Sequence, residues 1–525
     1  MNSKRIIYKS YQPYALEYAK HMQKDFGWEP VYWSLIDGFE NDVKNCFPNT
    51  YLNNYHDEIK GKLPLFITED ELASIDSAFL KSMAYQESIA LNMMSRNCLL
   101  IPFSYQDRFR LYIRLVRFYC TLLDKLRPDI IIFEDSPHEA CDYILYHIAQ
   151  KKGINTILFE ASALPKYFLP MNNYEYGYKK MIDAYKKACS FEVLPDFKLS
   201  LYTLDEIKKK KGDYSLGIPY YMLNQQKIYS NIKTNLFQKF ISKNILILIK
   251  ILNISKLKNR LNFVLSLNKP SVFSYLKQKN TSFEKSEITN WEFLYRRKRI
   301  EQIKKHNLLY YKENENKNPD LHSDFIFCPL HYQPEKTSSP WGGYYVNQIL
   351  MIQVLSKSIP NGWKIFVKEH VSQFVFPGTG EEYRNEQFYD DIRKLSNVEL
   401  IPIEFKSFDL IDNAKAVASV SGTVLWESVL RGKPAMAFGE GHHSWCGGCE
   451  GVFYTPESEN IKEVISKIQN GYSVNQEKVL LYAHFIEQYG YKGYAGGNAQ
   501  AVYSGISMEE NALLHVRAIK ELLSV

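Results

Sequence analysis

A turn of small and hydroxyl-bearing residues follows one of the predicted buried strands. Ser421, Gly422 and Thr423 come directly after an apolar run and open a helical pattern, and the two hydroxyls add hydrogen-bond donors. The first N–H groups of a helix have no partner within the helix, so such a turn can bind a phosphate. Glu427 lies one helical turn beyond Thr423, where its carboxylate can accept hydrogen bonds from ribose hydroxyls. The pattern predicts a nucleotide site; the alternative is an ordinary helix cap, which does not require Gly422.

A carboxylate follows the strand predicted at 324–330. The loop reads His331-Tyr332-Gln333-Pro334-Glu335, and its proline restricts Gln333 to an extended backbone. A polar group is thereby held at the edge of the sheet, with His331 and Gln333 as candidate donor-binding residues. The carboxylate of Glu335 can act as a nucleophile or stabilise an oxocarbenium-like centre. The alternative is a loop that is merely shaped by its proline.

Basic side chains follow the next predicted strand of this half, at 363–368. Lys368 and His370 leave the end of that strand and can neutralise the phosphate of a nucleotide-sugar. Charged residues at strand ends are usually solvated, so this signal is weak by itself. It gains weight from the other strand ends that carry polar groups.

The N-terminal half has its own polar strand end. The strand predicted at 129–133 is followed by Glu134-Asp135-Ser136-Pro137-His138-Glu139. We predict here a base that activates a sugar hydroxyl, with Asp135, His138 and Glu139 as candidates. The alternative is that Asp135 or Ser136 caps the helix that follows.

Familiar cofactor and metal motifs are absent from the sequence. There is no Gly-x-x-x-x-Gly-Lys-Ser/Thr phosphate loop, no Gly-x-Gly-x-x-Gly fingerprint and no Asp-x-Asp metal motif. Four residues have the types that bind zinc: His442, His443, Cys446 and Cys449. They lack a second ligand pair at finger-like spacing, and the flanking glycines suit a loop better. We therefore expect no metal and no cofactor.

Strand–helix alternation assigns these groups to the strand ends of an α/β fold. Strands are predicted at 4–8, 29–34, 129–133, 154–159, 324–330, 363–368, 398–402, 415–420 and 434–438. Helices are predicted at 12–25, 70–95, 105–126, 136–151, 344–357, 385–396, 422–431, 459–470, 476–488 and 508–523. A strand, a crossover helix and a strand within about 30 residues form a parallel βαβ unit, and ligands bind at the carboxyl ends of such strands.

The chain is long enough for more than one core, and its rhythm of elements is interrupted in the middle. At 525 residues, two domains are expected. We predict two Rossmann-like lobes separated by a basic, largely helical insertion and followed by a helical tail. The predicted boundaries are 1–205, 206–322, 323–490 and 491–525.

Charge is concentrated in the predicted insertion. The formal net charge is +7, and the window 214–283 contains many lysines but no Asp or Glu. This window is either a solvated, variable insertion or a basic surface that contacts anionic lipid. It contains no recognised nucleic-acid-binding module, so we expect no nucleic-acid partner. The eight cysteines lack the spacing of a disulfide scaffold and no targeting segment precedes them, which predicts a cytoplasmic protein.

Taken in chain order, these motifs resemble the capsule polysaccharide synthesis family that includes retaining Kdo transferases. The resemblance extends over about 324–452 and more moderately over 127–160. It is carried by Pro329-Leu330-His331-Tyr332-Gln333-Pro334-Glu335, Lys368-Glu369-His370, Ser421-Gly422-Thr423 with Glu427, Gly432-Lys433-Pro434, and Arg127-Pro128-Asp129 through Ser136-Pro137-His138-Glu139.

The resemblance implies a GT-B-type glycosyltransferase with a CMP-activated ulosonic acid as donor, either Kdo or a nine-carbon relative. The family's glutamine–proline motif corresponds to Gln333 and Pro334, and Glu335 is the carboxylate available as nucleophile. The family's histidine–proline motif falls on His370, with Val371 in place of the proline. We expect retention of configuration and an acceptor that is a surface glycan or its lipid-linked precursor. Peripheral contact with the inner face of the plasma membrane and with the capsule export machinery is a further hypothesis.

Two other functions remain open at this stage. A CDP-polyol phosphotransferase of the teichoic-acid kind would also use a cytidine donor, but it would not need a pocket for a sugar carboxylate. A non-catalytic glycan-binding protein of capsule assembly would tolerate substitution of Glu335 or Glu427.

Overall fold

The computed structural model describes residues 3–97, 103–212, 225, 228–229, 290–375, 380–496 and 505–524. These residues form two α/β lobes, each built on a mainly or wholly parallel sheet. Nearly all of the basic window 214–283 lies outside the described residues, so the structure does not test the interpretations of it. In the described part of the chain, no helix is both long enough and apolar enough to cross a bilayer.

The first lobe contains a seven-stranded sheet of order β13-β6-β5-β4-β1-β2-β3. Its strands are β1 Arg5–Lys9, β2 Glu29–Leu35, β3 Tyr51–Asn54, β4 Ile130–Phe133, β5 Asn155–Ala161, β6 Tyr167–Met171 and β13 Tyr491–Lys492. Strands β1 to β5 pair in parallel, whereas β6 pairs antiparallel with both β5 and β13. The helices of this half are Pro13–Phe26, Glu40–Cys46, Tyr55–Ile59, Ser77–Ser82, Ala84–Met93, Tyr105–Leu126, Ala140–Lys151, Lys179–Cys189 and Leu201–Lys211.

The second lobe contains a six-stranded, all-parallel sheet of order β12-β11-β10-β7-β8-β9. Its strands are β7 Phe325–Pro329, β8 Lys364–Lys368, β9 Val398–Ile401, β10 Ala416–Ser419, β11 Ala435–Ala437 and β12 Val452–Tyr454. The helices from Asn290 onward are Asn290–Asn314, Gln348–Ser358, Ser372–Val375, Glu386–Arg393, Ser407–Asn413, Val424–Leu430, His443–Cys446, Ser458–Gln469, Gln476–Tyr489 and Met508–Leu523.

Both sheets have the same strand order when counted within each lobe. Leaving out β13, the strands run 3-2-1-4-5-6 in the first lobe and again in the second. This is the order of the doubly wound Rossmann fold, and the predicted architecture of two Rossmann-like lobes, the GT-B type, is confirmed. The order reverses between β1 and β4 in one lobe and between β7 and β10 in the other. A crevice opens at each reversal, and ligands of this fold class bind there.

The central strands are buried on both faces because helices cover both sides of each sheet. Strand β4 reads Ile-Ile-Ile-Phe, and each of its residues is at most 2% exposed. Strand β7 begins Phe-Ile-Phe-Cys, and these four residues are fully buried. Such continuous apolar runs, without alternation, are typical of parallel strands inside an α/β domain.

Most predicted elements agree with the structure to within about three residues, but three helices differ by more. The helix predicted at 344–357 begins only at Gln348, after the 3-10 turn Gly343–Val346. The helix predicted at 70–95 is broken: Asp76 caps a short helix, Ser77–Ser82, and a separate helix, Ala84–Met93, follows it. The helix predicted from 136 begins only at Ala140. Neither Asp135 nor Ser136 caps it, because both side chains bond to other groups at the lobe interface.

The predicted C-terminal tail packs on the first lobe. Strand β13 adds to β6 at the edge of the first sheet. The helix Met508–Leu523 lies against the helix Pro13–Phe26, with His515 stacked on Tyr18. The chain therefore returns to its first lobe after completing the second.

A buried ion cluster joins the two lobes. Lys336, on the loop after β7, reaches across to the first lobe and contacts Asp135 at 2.8 Å and Glu160 at 3.0 Å. Its Nζ also lies 4.7 Å from the ring centre of Trp341, whose indole N–H donates to Ser136 at 3.1 Å. Burial alone would lower the pKa of Lys336, but the two carboxyl groups outweigh it and raise that pKa.

We expect Lys336→Met to lower the free energy of unfolding by about 3 kcal/mol, because it leaves the buried carboxyl group of Glu160 and the partly exposed one of Asp135 without their cation. Urea titration followed by tryptophan fluorescence measures this change. Lys394→Ala is the matched control, since Lys394 pairs with Asp391 on an exposed helix surface. Its loss should cost about 0–1 kcal/mol. Equal effects of the two substitutions would contradict a stabilising role for the interface cluster.

Candidate active site between the lobes

The loop after β7 is held by a buried network. Gln333 donates to the carbonyl oxygen of Val346 at 2.7 Å, and its own side-chain oxygen accepts from Gln348 and from Arg384, both at 2.8 Å. The peptide bond between Gln333 and Pro334 is cis. The side chain of Gln333 is thus engaged within its own lobe, where it fixes the course of the loop.

Arg384 connects this loop to the end of β8. Its guanidinium pairs with Glu369 at 2.5 Å and donates to the carbonyl oxygen of His331 at 3.1 Å. Both members of the ion pair are at most 2% exposed, and Tyr389 adds a hydrogen bond to Glu369 at 3.1 Å. No sequence pattern singled out Arg384, which comes from a stretch without a recognisable motif.

His331 bridges the two strands at the switch point of the second lobe. Its Nε2 lies 2.9 Å from the hydroxyl of Ser419 at the end of β10, and its Nδ1 lies 3.3 Å from Thr337. A Cβ at Gly422 would come within 2.8 Å of the imidazole Cε1, so this close approach requires glycine. Burial lowers the pKa of His331 to about 3, so the ring is neutral. The structure therefore brings the Ser421–Thr423 turn against the loop of Gln333 and Glu335.

The contacts of Ser421, Thr423 and Glu427 differ in detail from those predicted for a nucleotide site at this turn. Thr423 precedes the helix Val424–Leu430 but makes no side-chain capping bond, and Ser421 donates to the carbonyl oxygen of Thr337 at 2.6 Å. Glu427 pairs with Lys210 at 2.6 Å. A ribose contact by Glu427 would have to compete with this ion pair, and it stays a prediction.

A cavity of about 230 Å³ opens beside the ends of β7 and β8. Lys368 and His370 line it together with Glu404, and a role of these two residues in phosphate binding stays a prediction. Burial lowers the pKa of Lys368 to about 8, which leaves the amine largely charged at neutral pH. Burial and the neighbouring Lys368 lower the pKa of His370 to about 4. Its Nδ1 accepts from the backbone N–H of Ser372 at 3.2 Å, so the neutral ring carries its proton on Nε2.

A second cavity, of about 240 Å³, occupies the switch point of the first lobe. It is lined by Lys9, Tyr11, Tyr55, Phe133, Glu134, Asp135, Ser136, His138, Asp142 and Gly496. Two of the three base candidates, Asp135 and His138, lie in this lining. Glu139 is buried at the position before the helix Ala140–Lys151.

Glu134 has the proton affinity that suits a base in this cavity. Its carboxylate accepts from the hydroxyl of Ser10 and from the backbone N–H of Tyr11, both at 3.0 Å, and burial raises its pKa to about 7. Asp135 differs: burial alone would raise its pKa, but Lys336 holds it below the usual value. Glu134 was named in the sequence only as part of a polar stretch, because burial cannot be read from residue types.

Lys9 is another contributor to this cavity that the sequence reasoning missed. It ends β1 and pairs with Glu58 at 2.9 Å and with Asp142 at 3.0 Å, with its side chain 2% exposed. A lysine at the end of a short apolar strand was the available signal. The cavity thus combines a charged wall with the aromatic rings of Tyr11 and Tyr55.

Glu335 lies on the loop that runs from Leu330, in the lining of the second-lobe cavity, to Lys336, which contacts Asp135 in the lining of the first-lobe cavity. Its carboxylate is accessible and accepts from the hydroxyl of Thr337 at 2.9 Å. Lys336, the next residue, contacts the first lobe, so the loop carrying Glu335 lies where the carboxyl ends of both sheets face each other.

The zinc alternative finds no support among the described side chains. In that part of the chain, no group of three or more His, Cys, Asp or Glu residues has an arrangement that could hold a metal ion. His442 is bonded through Nδ1 to the carbonyl oxygen of Gly439 at 2.7 Å. Burial raises the pKa of Cys446 to about 12, which keeps its thiol protonated.

Comparisons with known proteins identify no family for the chain. No family model and no curated protein matches it. Among solved structures, it is similar to the calicheamicin glycosyltransferase CalG4, with 9% identity over 100% of this chain and 99% of that one and a TM-score of 0.23. It is also similar to HepE of Anabaena in complex with UDP-glucose, with 13% identity over 99% and 100% and a TM-score of 0.25. A third is the UDP-GlcNAc 2-epimerase of Neisseria meningitidis, with 11% identity over 98% and 100% and a TM-score of 0.22. Identities and TM-scores this low establish neither a common fold nor a common function. The architecture is therefore assigned from the strand order of the two sheets alone.

Proposed function

We propose that the chain is a glycosyltransferase that transfers an ulosonic acid, Kdo or a nonulosonate, from a CMP-sugar with retention of configuration. The acceptor is a surface polysaccharide or its lipid-linked precursor. One observation carries the proposal: the accessible carboxylate of Glu335 lies on a braced loop that links two cavities, each at the carboxyl ends of a Rossmann-like sheet and each lined by charged residues. Two sites linked by a loop that carries a carboxylate suit the transfer of a group from a donor to an acceptor.

The donor side is assigned to the second lobe. CMP carries a single phosphate, and the charged amine of Lys368 with the Nε2–H of His370 can neutralise it from the wall of one cavity. These groups supply the charge for which many transferases use a divalent cation, so the proposed reaction is independent of metal. The turn Ser421–Thr423 borders the same loop from the other side of β7.

The reaction proceeds in two displacements. Glu335 attacks the anomeric carbon, the bond to the phosphate of CMP breaks, and a glycosyl-enzyme ester forms. An acceptor hydroxyl in the first-lobe cavity then loses its proton to Glu134 and attacks the same carbon, which releases Glu335. Two inversions give net retention. The rings of Tyr11 and Tyr55 offer apolar faces on which an acceptor sugar can pack.

The proposed contacts with the membrane and with the export machinery rest on the sequence alone. The basic window 214–283 is the feature that motivates a contact with anionic lipid.

We expect the protein to release CMP from CMP-Kdo or a CMP-nonulosonate, and to release no nucleotide from UDP- or GDP-sugars. CDP-glycerol is included in the same panel, because a polyol-phosphate transferase would consume it instead. Addition of EDTA should leave the rate unchanged. Nucleotide release measured by liquid chromatography decides the donor class, and exclusive use of CDP-glycerol would refute the ulosonic acid donor.

We expect Glu335→Ala to lower turnover about 1000-fold or more while donor binding is retained, because the nucleophile is lost. Azide should restore CMP release by replacing the missing carboxylate, and mass spectrometry should detect the glycosyl azide. Glu382→Gln is the control, since Glu382 is an exposed carboxylate that pairs with Arg108 at the same interface. Full activity of Glu335→Ala would exclude the double displacement.

We expect the rate of acceptor transfer to rise with pH through a pKa near 7, because Glu134 must be ionised to accept a proton. Glu134→Gln should abolish this rising limb and lower the rate about 100- to 10000-fold. His138→Gln tests the other base candidate in the same cavity and should retain the limb. The rate profile between pH 5 and 9 is the measurement, and loss of the limb in His138→Gln alone would transfer the role to His138.

A further inference from the structure

Arg96 is a buried cation with unused hydrogen-bond donors at the lobe interface. It belongs to the 3-10 helix Met94–Asn97 of the first lobe, and 7% of the residue is exposed. Its Nη2 donates across the interface to the carbonyl oxygen of Ser339. Within the described residues, Nε and Nη1 have no acceptor. Buried donors without acceptors are costly, so their persistence needs an explanation.

Ser339 adds a second unused donor at the same place. It follows the loop of Glu335, is 3% exposed, and its hydroxyl also lacks a partner in the described part of the chain. The residue whose carbonyl oxygen binds Arg96 therefore carries a buried hydroxyl with nothing to bond. Two adjacent unsatisfied donors, one of them cationic, have the composition of an anion receptor.

Hydrogen bonds around Arg96 show where that receptor lies. Ser339, whose carbonyl oxygen accepts from Arg96, donates its backbone N–H to the carbonyl oxygen of Glu335 at 2.9 Å. Arg96 therefore lies beside the loop that carries the carboxylate proposed to attack the donor. Lys336, a cation on the same loop as Glu335, is already bonded to Asp135 and Glu160.

We propose that Arg96, assisted by the hydroxyl of Ser339, binds the carboxylate of the donor sugar and selects acidic sugars. The inference rests on the proposed function. In a 2-ulosonic acid the carboxylate is bonded directly to the anomeric carbon, so its receptor must adjoin the group that attacks that carbon. A guanidinium at the lobe interface near Glu335 meets this requirement, and its planar fork matches a carboxylate.

Selectivity follows from the same unsatisfied donors. A neutral hexose leaves the guanidinium and the hydroxyl without acceptors in a buried site. The free-energy cost of desolvating these donors is then not offset by new hydrogen bonds, so the hexose binds more weakly. An acidic sugar supplies the missing acceptors. The site therefore discriminates by penalising neutral donors as well as by attracting charged ones.

Affinity for CMP-N-acetylneuraminate or CMP-Kdo relative to CMP alone tests the assignment, because CMP lacks the sugar carboxylate. Calorimetric titration of the full chain with each ligand gives this ratio. We expect Arg96→Gln to weaken binding of the CMP-ulosonate about 10- to 100-fold and to leave CMP affinity unchanged. Arg96→Lys keeps the charge without the fork and should lose part of the affinity.

Ser339→Ala distinguishes a loss of ligand binding from a loss of protein stability. Removing a hydroxyl that has no partner should leave the melting temperature unchanged or higher, yet weaken the CMP-ulosonate several-fold. Arg108→Gln is the matched control: Arg108 also crosses the interface, to Glu382, but its guanidinium is bonded to Phe103, Leu91 and Ser95. It should leave the ratio of the two affinities unchanged.

The wild-type titration separates the two ways of failing. If the wild type binds the CMP-ulosonate more tightly than CMP and Arg96→Gln binds it equally well, the Arg96 assignment is overturned and the proposed function stands. If the wild type binds no CMP-ulosonate, the proposed function fails and the assignment fails with it. A loss of CMP affinity in Arg96→Gln equal to the loss for the CMP-ulosonate would also overturn it, since the effect would not depend on the carboxylate.

Discussion

The buried pair of Arg384 and Glu369 fixes the geometry on which the site depends. An isolated charge at this depth would cost several kcal/mol, and the pair is tolerated because both partners are saturated with hydrogen bonds. Arg384 also donates to the side-chain oxygen of Gln333 and to the carbonyl oxygen of His331. One guanidinium therefore holds the ends of β7 and β8 together. The loop that carries Glu335 therefore starts from a rigid base and can extend to the other lobe without collapsing onto its own sheet.

The two lobes have the same strand order but different side chains at the point where that order reverses. In each, the strand order reverses beside the first strand, and a side chain spans the gap: His331 reaches Ser419 in the second lobe, and Glu134 reaches Ser10 in the first. The second lobe has neutral imidazoles and one amine at the ends of β7 and β8. The first has carboxyl groups balanced by Lys9 and Lys336. The proposed division into a donor side and an acceptor side rests on this difference.

The sequence predicted the strands well because a strand buried on both faces must be a continuous apolar run, as β4 and β7 are. It also located Lys368, His370 and Glu335 at strand ends, where the structure has them. It could not find Arg96 or Glu160, because their importance arises from burial and from contacts across the interface. The sequence pattern predicted a helix start at 136, whereas the helix begins at Ala140. Asp135 and Ser136 bond to the opposite lobe instead of capping the helix, which no local pattern reveals.

The return of the chain to its first lobe constrains how the molecule can move. The polypeptide enters the second lobe ahead of β7 and returns with the helix Gln476–Tyr489, which packs against the helix Lys179–Cys189 and β6 of the first lobe as well as against the helix Val424–Leu430. Two covalent connections and the Lys336 cluster together limit how far the two lobes can separate.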